Sequence, residues 1–198
     1  MENTITEMPS GQQALEKLIA GNQRYVSLKQ AYPNQAPEHR KELCKGQSPF
    51  AVILGCSDSR IPPEIIFDQG LGDLFVVRVA GNIIDNVVLG SIEYAVADLH
   101  TPLVMVLGHS QCGAVGATVA GDNLEGHLSD LTAAILPAMN SIQNRTGNII
   151  DDTARANVKM VSEQLKQSTP ILSRWTENNR LMVVSAFYNL DTGLVEIL

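Results

Sequence analysis

Cys56-Ser-Asp-Ser-Arg60 concentrates a thiol, a carboxylate and a guanidinium in one short stretch. Ahead of it, Phe50 to Gly55 is an apolar run of the length and composition of a buried parallel strand. Behind it, Ile61-Pro-Pro63 ends the strand and can open the next helix at its first position. The three reactive groups therefore stand at the carboxyl end of a strand, where open α/β sheets place their ligand sites. An extended backbone there would turn Cys56, Asp58 and Arg60 to one side and the two serines to the other. A second concentration, His109-Ser-Gln-Cys112, follows the apolar run Pro102 to Leu107 and precedes a helix opening at Gly113. If these two strands are neighbours and the strand between them in sequence lies outside, the crevice at their ends is a topological switch point. Two cysteines and a histidine meeting there suit zinc with three protein ligands and a free fourth position, the catalytic rather than the structural arrangement. Cys112 also begins a helix, whose dipole favours the thiolate that a metal needs.

Each residue alone has a plainer reading. A cysteine at a strand end is usually a small hydrophobe, and a lone histidine a satisfied core residue. The conjunction is what points to chemistry. Cys44, beside Leu43 in a basic stretch, reads as a packing cysteine, and His39, His100 and His127 as surface or turn residues. Rival motifs fail on detail. Gly108 to Gly113 has the glycine spacing of a phosphate loop, but Ala114 stands where the lysine belongs. Gly70-Leu-Gly-Asp-Leu-Phe75 lacks the third glycine of a dinucleotide fingerprint and precedes a strand instead of following one. Cys56 and Arg60 are too close for a Cys-x5-Arg phosphatase pattern. The absence of Cys-x-x-Cys speaks against a thiol redox protein.

The elements that must position these groups read as a single α/β domain. Ser10 predicts the N-cap of an amphipathic helix reaching Tyr25 or Leu28, with Leu15, Leu18 and Ile19 on its apolar face. Short helices are expected over Pro37 to Cys44, Glu64 to Asp68 and after Pro170. Longer ones are expected over Asp85 to Leu99, Gly113 to Ala120, Leu128 to Arg145 with a kink or break at Pro137, and Asp152 to Gln167. Strands are expected at Leu74 to Val79 and Leu181 to Phe187, with an antiparallel edge partner at Leu194 to Leu198. Alternating strands and helices imply a mainly parallel sheet flanked by helices. No linker divides the chain, so residues 1–46 read as a helical arm and residues 47–198 as the zinc-binding domain. The 198-residue chain carries a net charge of -7, which argues against nucleic acid and anionic membranes as partners. No apolar run is long enough to span a bilayer. The acidic N-terminus predicts no signal peptide, and three cysteines predict a reduced, cytoplasmic protein. Charged residues make up 18% of the chain, below the roughly 25% usual for a soluble domain, as surface buried between subunits would explain.

Over nearly its whole length the chain resembles the β-class carbonic anhydrases of bacterial type, most specifically in Cys56-Ser-Asp-Ser-Arg60 and His109-x-x-Cys112-Gly113. The resemblance implies a sheet in strand order 2-1-3-4 with a fifth, antiparallel edge strand. It implies zinc held by Cys56, His109 and Cys112, one ion per chain, and an Asp58–Arg60 dyad beside it. It also implies a substrate pocket involving Gln47, Gly113, Phe75, Ala80 and Tyr94, some of these contributed by a neighbouring subunit. The expected activity is reversible hydration of carbon dioxide to bicarbonate and a proton by zinc-bound hydroxide, which Asp58 orients while Arg60 keeps Asp58 ionised. The alternatives are a related zinc hydrolase acting on carbonyl sulfide or carbon disulfide, and a non-catalytic zinc-binding regulator. Ser110-Gln111 departs from the residues common between the histidine and cysteine in this family.

The same resemblance implies a homodimer, or a tetramer built from dimers, with the N-terminal helix packing on the partner. Some bacterial members bind bicarbonate at a non-catalytic site built from a tryptophan, an arginine and a tyrosine, and release the aspartate to zinc at low pH. Arg78 and Tyr188 stand at two of those places here, but Ile53 replaces the tryptophan and has no N–H to donate. Asp58 is therefore expected to stay on Arg60, without a cooperative acid switch.

Overall fold

The computed structural model describes residues 8–121, 124–143 and 147–198. Five strands form one sheet in the order β2-β1-β3-β4-β5. They are β1 (Ala51–Gly55), β2 (Leu74–Arg78), β3 (Leu103–His109), β4 (Met182–Tyr188) and β5 (Val195–Ile197). The first four run parallel and β5 closes the edge antiparallel to β4, as expected. β1 and β3 are buried at every position, which is why both read as unbroken apolar runs. Their side chains alternate between two cores: Ile53, Met105 and Leu107 pack on one face of the sheet, and Val52, Leu54, Val104 and Val106 on the other.

Helices α1 (Gly11–Val26), α2 (Pro37–Glu42), α3 (Pro63–Ile66), α4 (Asn86–Ala97), α5 (Gly113–Ala120), α6 (Leu128–Asn140), α7 (Ile149–Gln167) and α8 (Leu172–Glu177) surround this sheet. Ser10 caps α1 as read: its Oγ accepts the Gln13 N–H at 3.2 Å, and Gln13 Oε1 accepts the Ser10 N–H at 2.8 Å. α7 begins earlier than expected because Asn148, not a later residue, accepts the Asp151 N–H. α6 ends at Asn140, short of the expected Arg145, which lies outside the described residues. Pro137 sits within α6, three positions from its end, and marks the last turn rather than a mid-helix break.

Helix α1 buries part of its apolar face within its own chain: Ala14 and Leu18 have no exposed surface and join the core beneath β3, while Leu15 and Ile19 stay half-buried. Gly21 lies so close to α3 that a Cβ there would stand 1.7 Å from the Phe67 carbonyl oxygen. Asn22, buried, donates to Ile66 O and Gly193 O and accepts the Val195 N–H, tying the helix to α3 and to the final hairpin. The amphipathic pattern showed a face to be buried but not against what. Among the described residues no helix is long and apolar enough to cross a membrane.

Candidate metal centre

The register of the sheet brings the two reactive stretches together. Gly55 on β1 pairs with Leu107 on β3, so Cys56 and His109 leave adjacent strand ends at nearly one level. Cys112 is the N-cap of α5, at the start of the helix that carries the chain away. The ligand atoms of Cys56, His109 and Cys112 all lie within 4.8 Å of one another, and all three residues are buried. Tetrahedral zinc with Zn–S near 2.3 Å would want neighbouring sulfurs ~3.8 Å apart, so the cluster needs little adjustment.

The donor chemistry fits a divalent soft-to-borderline cation. His109 Nδ1 donates to the Ser110 carbonyl at 2.9 Å, which fixes the tautomer and leaves Nε2 with a lone pair. That Nε2 is buried without a hydrogen-bond partner among the described residues. Asp58 Oδ2 stands 4.0 Å from it, too far for a hydrogen bond. A buried imidazole nitrogen facing two thiols is costly unless a cation takes its lone pair. The sulfurs are also tuned. The nearby Cys112 thiol, against the cost of burial and together with the neighbouring His109 and the Gly81 N–H, draws the Cys56 pKa down to about 4. Cys112 moves the opposite way, raised by sharing its proton with Cys56, by burial and by the adjacent charge. Without a cation the pair thus gives up one proton readily and holds the second. A bound cation would stabilise both thiolates.

The expectation of an extended chain through Arg60 does not hold. β1 ends at Gly55 and the backbone turns at Ser59-Arg60. The turn is itself made by the dyad: Asp58 Oδ1 accepts the Arg60 backbone N–H at 3.0 Å and its Nε at 2.9 Å, while Oδ2 accepts Nη2 at 2.6 Å. These bonds from Arg60 hold the Asp58 carboxyl well below the usual carboxylate range despite partial burial, and raise the Arg60 pKa in return. Asp58 is therefore a paired carboxylate whose Oδ2 lies 4.0 Å from His109 Nε2. Arg60 Nη2 also donates to the Gln111 carbonyl at 3.2 Å, linking the two loops.

Two supports of the loops escaped the sequence. Arg78, at the end of β2, donates from Nε to the Cys56 carbonyl at 2.8 Å and from Nη2 to the Asp58 carbonyl at 2.5 Å. Asp151, at the start of α7, accepts the Gln111 N–H at 3.0 Å and so braces a residue held at φ 55. Nothing in local spacing links residue 151 to residue 111, and only the packing of α7 on β3 could have shown it. Of the three anion-site places, Arg78 is bonded to the Cys56 and Asp58 carbonyls, Tyr188 faces the Tyr25 hydroxyl at 3.3 Å, and Ile53 is fully buried.

The expected pocket residues are dispersed in the single chain. Gly113 follows Cys112 and faces open space at its Cα, and Ala80 begins the short turn beside Cys56. Phe75 is level with Val52 on the edge strand β2, and its ring is 6.3 Å from that of Tyr94. Gln47 lies exposed ahead of β1. Two surface cavities lie away from the cluster. One of 250 Å³ lies between α5 and α6, and one of 420 Å³ beside the start of β2; neither is lined by a cluster residue. Chemistry, not cavity size, marks the site.

The fold and the cluster agree with what the chain is related to. A family model described as carbonic anhydrase matches residues 51–195. Carbonic anhydrase 2 of Mycobacterium tuberculosis is 42% identical over 185 residues, covering 91% of this chain and 89% of that one. A carbonic anhydrase of Pseudomonas aeruginosa is 35% identical, covering 85% and 81%. Among solved structures, the tetrameric β-carbonic anhydrases of Sordaria macrospora superpose with a TM-score of 0.75 at 25% identity, covering 94% of this chain and 97% of that one. The chain belongs to the carbonic anhydrase family, in its β-class.

Proposed function

We propose that Cys56, His109 and Cys112 hold one zinc ion, and that Asp58 and Arg60 act beside it in the reversible hydration of carbon dioxide, the reaction of this family. The observation that carries the reading is the buried, unpartnered His109 Nε2 set against two thiols, with an ionised carboxylate 4.0 Å from that nitrogen. When bound, the metal supplies Lewis acidity that makes water a nucleophile near neutral pH. Two thiolates would cancel the charge of the ion, so its pull on water would be weaker than in a three-histidine site. Polar help from the protein then matters more. Asp58, held ionised by Arg60, accepts a hydrogen bond from the reacting water and orients its lone pair toward carbon dioxide. Arg60 keeps that carboxylate from turning away and places positive charge near the anionic product. His109, with Nδ1 tied to Ser110 O, offers only its neutral Nε2.

The surface points to a second copy of the chain. β2 is an edge strand in which all five residues are half-buried, Leu-Phe-Val-Val-Arg, with no charge before its last position. An apolar edge of this kind is normally covered. Val87 and Tyr94 on α4 stand exposed at 77% and 48%. We infer a homodimer, or a tetramer of dimers, in which the partner brings Gln47, Phe75, Ala80 or Tyr94 toward the pocket. Two cysteine ligands that must stay reduced favour a reducing compartment such as the cytoplasm. Metal analysis together with stopped-flow carbon dioxide hydration tests the reading. One zinc per chain with hydration activity supports it. One zinc without hydration would shift the assignment to a sulfur-analogue hydrolase or a regulator.

A further inference from the structure

The Cys56 sulfur is held from behind by a backbone amide: Gly81 N–H donates to Cys56 Sγ at 3.3 Å. That amide belongs to a residue in an unusual conformation. Gly81 has φ 71 and ψ 13, and a Cβ there would meet Ile135 Cδ1 at 2.7 Å and Ala114 Cβ at 3.3 Å. A left-handed residue between β2 and α4 needs something to hold its orientation. The far end of the same residue is gripped by α7, where Asn157 Nδ2 donates to the Gly81 carbonyl at 2.9 Å. Asn157 is 1% exposed and neighbours Val158 and Val161, where an aliphatic residue would bury apolar surface at no polar cost.

We propose that Asn157 is a positioning residue for the metal centre: by fixing Gly81 it aims the Gly81 amide at the Cys56 sulfur and sets how much electron density that thiolate gives a bound cation. The inference rests on Cys56 being a metal ligand. A hydrogen bond to a coordinating thiolate draws density from sulfur and fixes its direction, as partners behind metal ligands generally do. Without Asn157 the Gly81 carbonyl loses its buried donor, the turn that presents the Gly81 amide rests on the Asn82 N–H to Val79 O bond at 2.9 Å, and the amide is aimed at the sulfur less firmly before metal arrives.

Two measurements test this. In the unaltered protein loaded with cadmium-113, the metal should show scalar coupling to the Cys56 and Cys112 β-protons, and also, across the hydrogen bond, to the Gly81 amide proton. Coupling to the cysteines but not to Gly81 would overturn this inference alone. Absence of coupling to the cysteines would overturn the zinc-site reading and this inference with it. In Asn157→Leu and Asn157→Asp, zinc affinity measured by chelator competition should fall roughly 10–100-fold. The sulfur-to-cobalt charge-transfer band of the cobalt-loaded variants should move to longer wavelength. A variant that is less heat-stable but keeps the parental zinc affinity and cobalt spectrum would show a merely structural role. Should neither variant fold, the cadmium coupling in the unaltered protein still decides whether the Gly81 amide donates to the Cys56 sulfur, without which the inference falls.

Discussion

Asp58 gains its usefulness from what it is not free to do. With three bonds from Arg60 it stays ionised beside the cluster. Replacing it by asparagine removes the charge and half of the bidentate pair but none of the metal ligands. Asp58→Asn should retain one zinc per chain and lose activity by about 10²-fold or more in stopped-flow hydration. Near-parental hydration in a zinc-loaded variant would remove Asp58 from the mechanism. A second consequence concerns pH. Because the folded-state pKa lies below its unfolded value near 3.9, pairing stabilises the fold fully above about pH 4 and is lost only as pH falls further. The acid limb of the rate profile must then arise elsewhere. The carboxyl carbon-13 signal of Asp58 should stay flat between about pH 8 and 4. A midpoint near neutrality would contradict the pairing.

At the scale of elements, the site depends on loops braced from several directions. β1 delivers Cys56, β3 delivers His109, and the loops beyond are held by Arg78 from β2 and Asp151 from α7. The docking of α1 is a separate matter and can be tested apart from catalysis. Alanine within a helix is favoured over glycine by about 1 kcal/mol. At Gly21 that gain is outweighed, because a Cβ would stand 1.7 Å from Phe67 O and backbone cannot step aside as a side chain can. Gly21→Ala should therefore destabilise the protein, by about 1–3 kcal/mol net, read as a lower urea midpoint. A stabilised variant would mean that α1 does not pack as described.

For the whole molecule, metal and assembly are the open quantities. If zinc sits in the native cluster, stripping it with a strong chelator should lower the melting temperature on the order of 10 °C, recovered on adding zinc back. An unchanged melting curve after complete removal would place the metal outside the folded core. Light scattering should report a dimer or larger species, since among the described residues the apolar β2 edge is only half-buried and Val87 and Tyr94 of α4 stand exposed. An active, monodisperse monomer would count decisively against the shared pocket.

Much of this was legible in the residues. Uninterrupted apolar runs announced β1 and β3, because a strand buried on both faces has no polar position to show. Their reactive continuations at Cys56 and His109, together with Cys112 before a helix, identified the cluster, since soft ligands converging at strand ends have few other uses. The strand order followed from the resemblance and agrees with the structure. What the residues could not disclose were contacts with no local signature. Asp58 and Arg60 meet through a turn that their own hydrogen bonds create, not through strand alternation. Asn157 and Asp151 reach the site from a helix far along the chain. Periodicity also did not tell which apolar residues of α1 turn fully inward, Ala14 and Leu18, and which stay half-buried, Leu15 and Ile19. Periodicity and composition register whether a side chain is buried and what it can donate. Which atom receives it depends on how distant segments pack, and that information exists only in three dimensions.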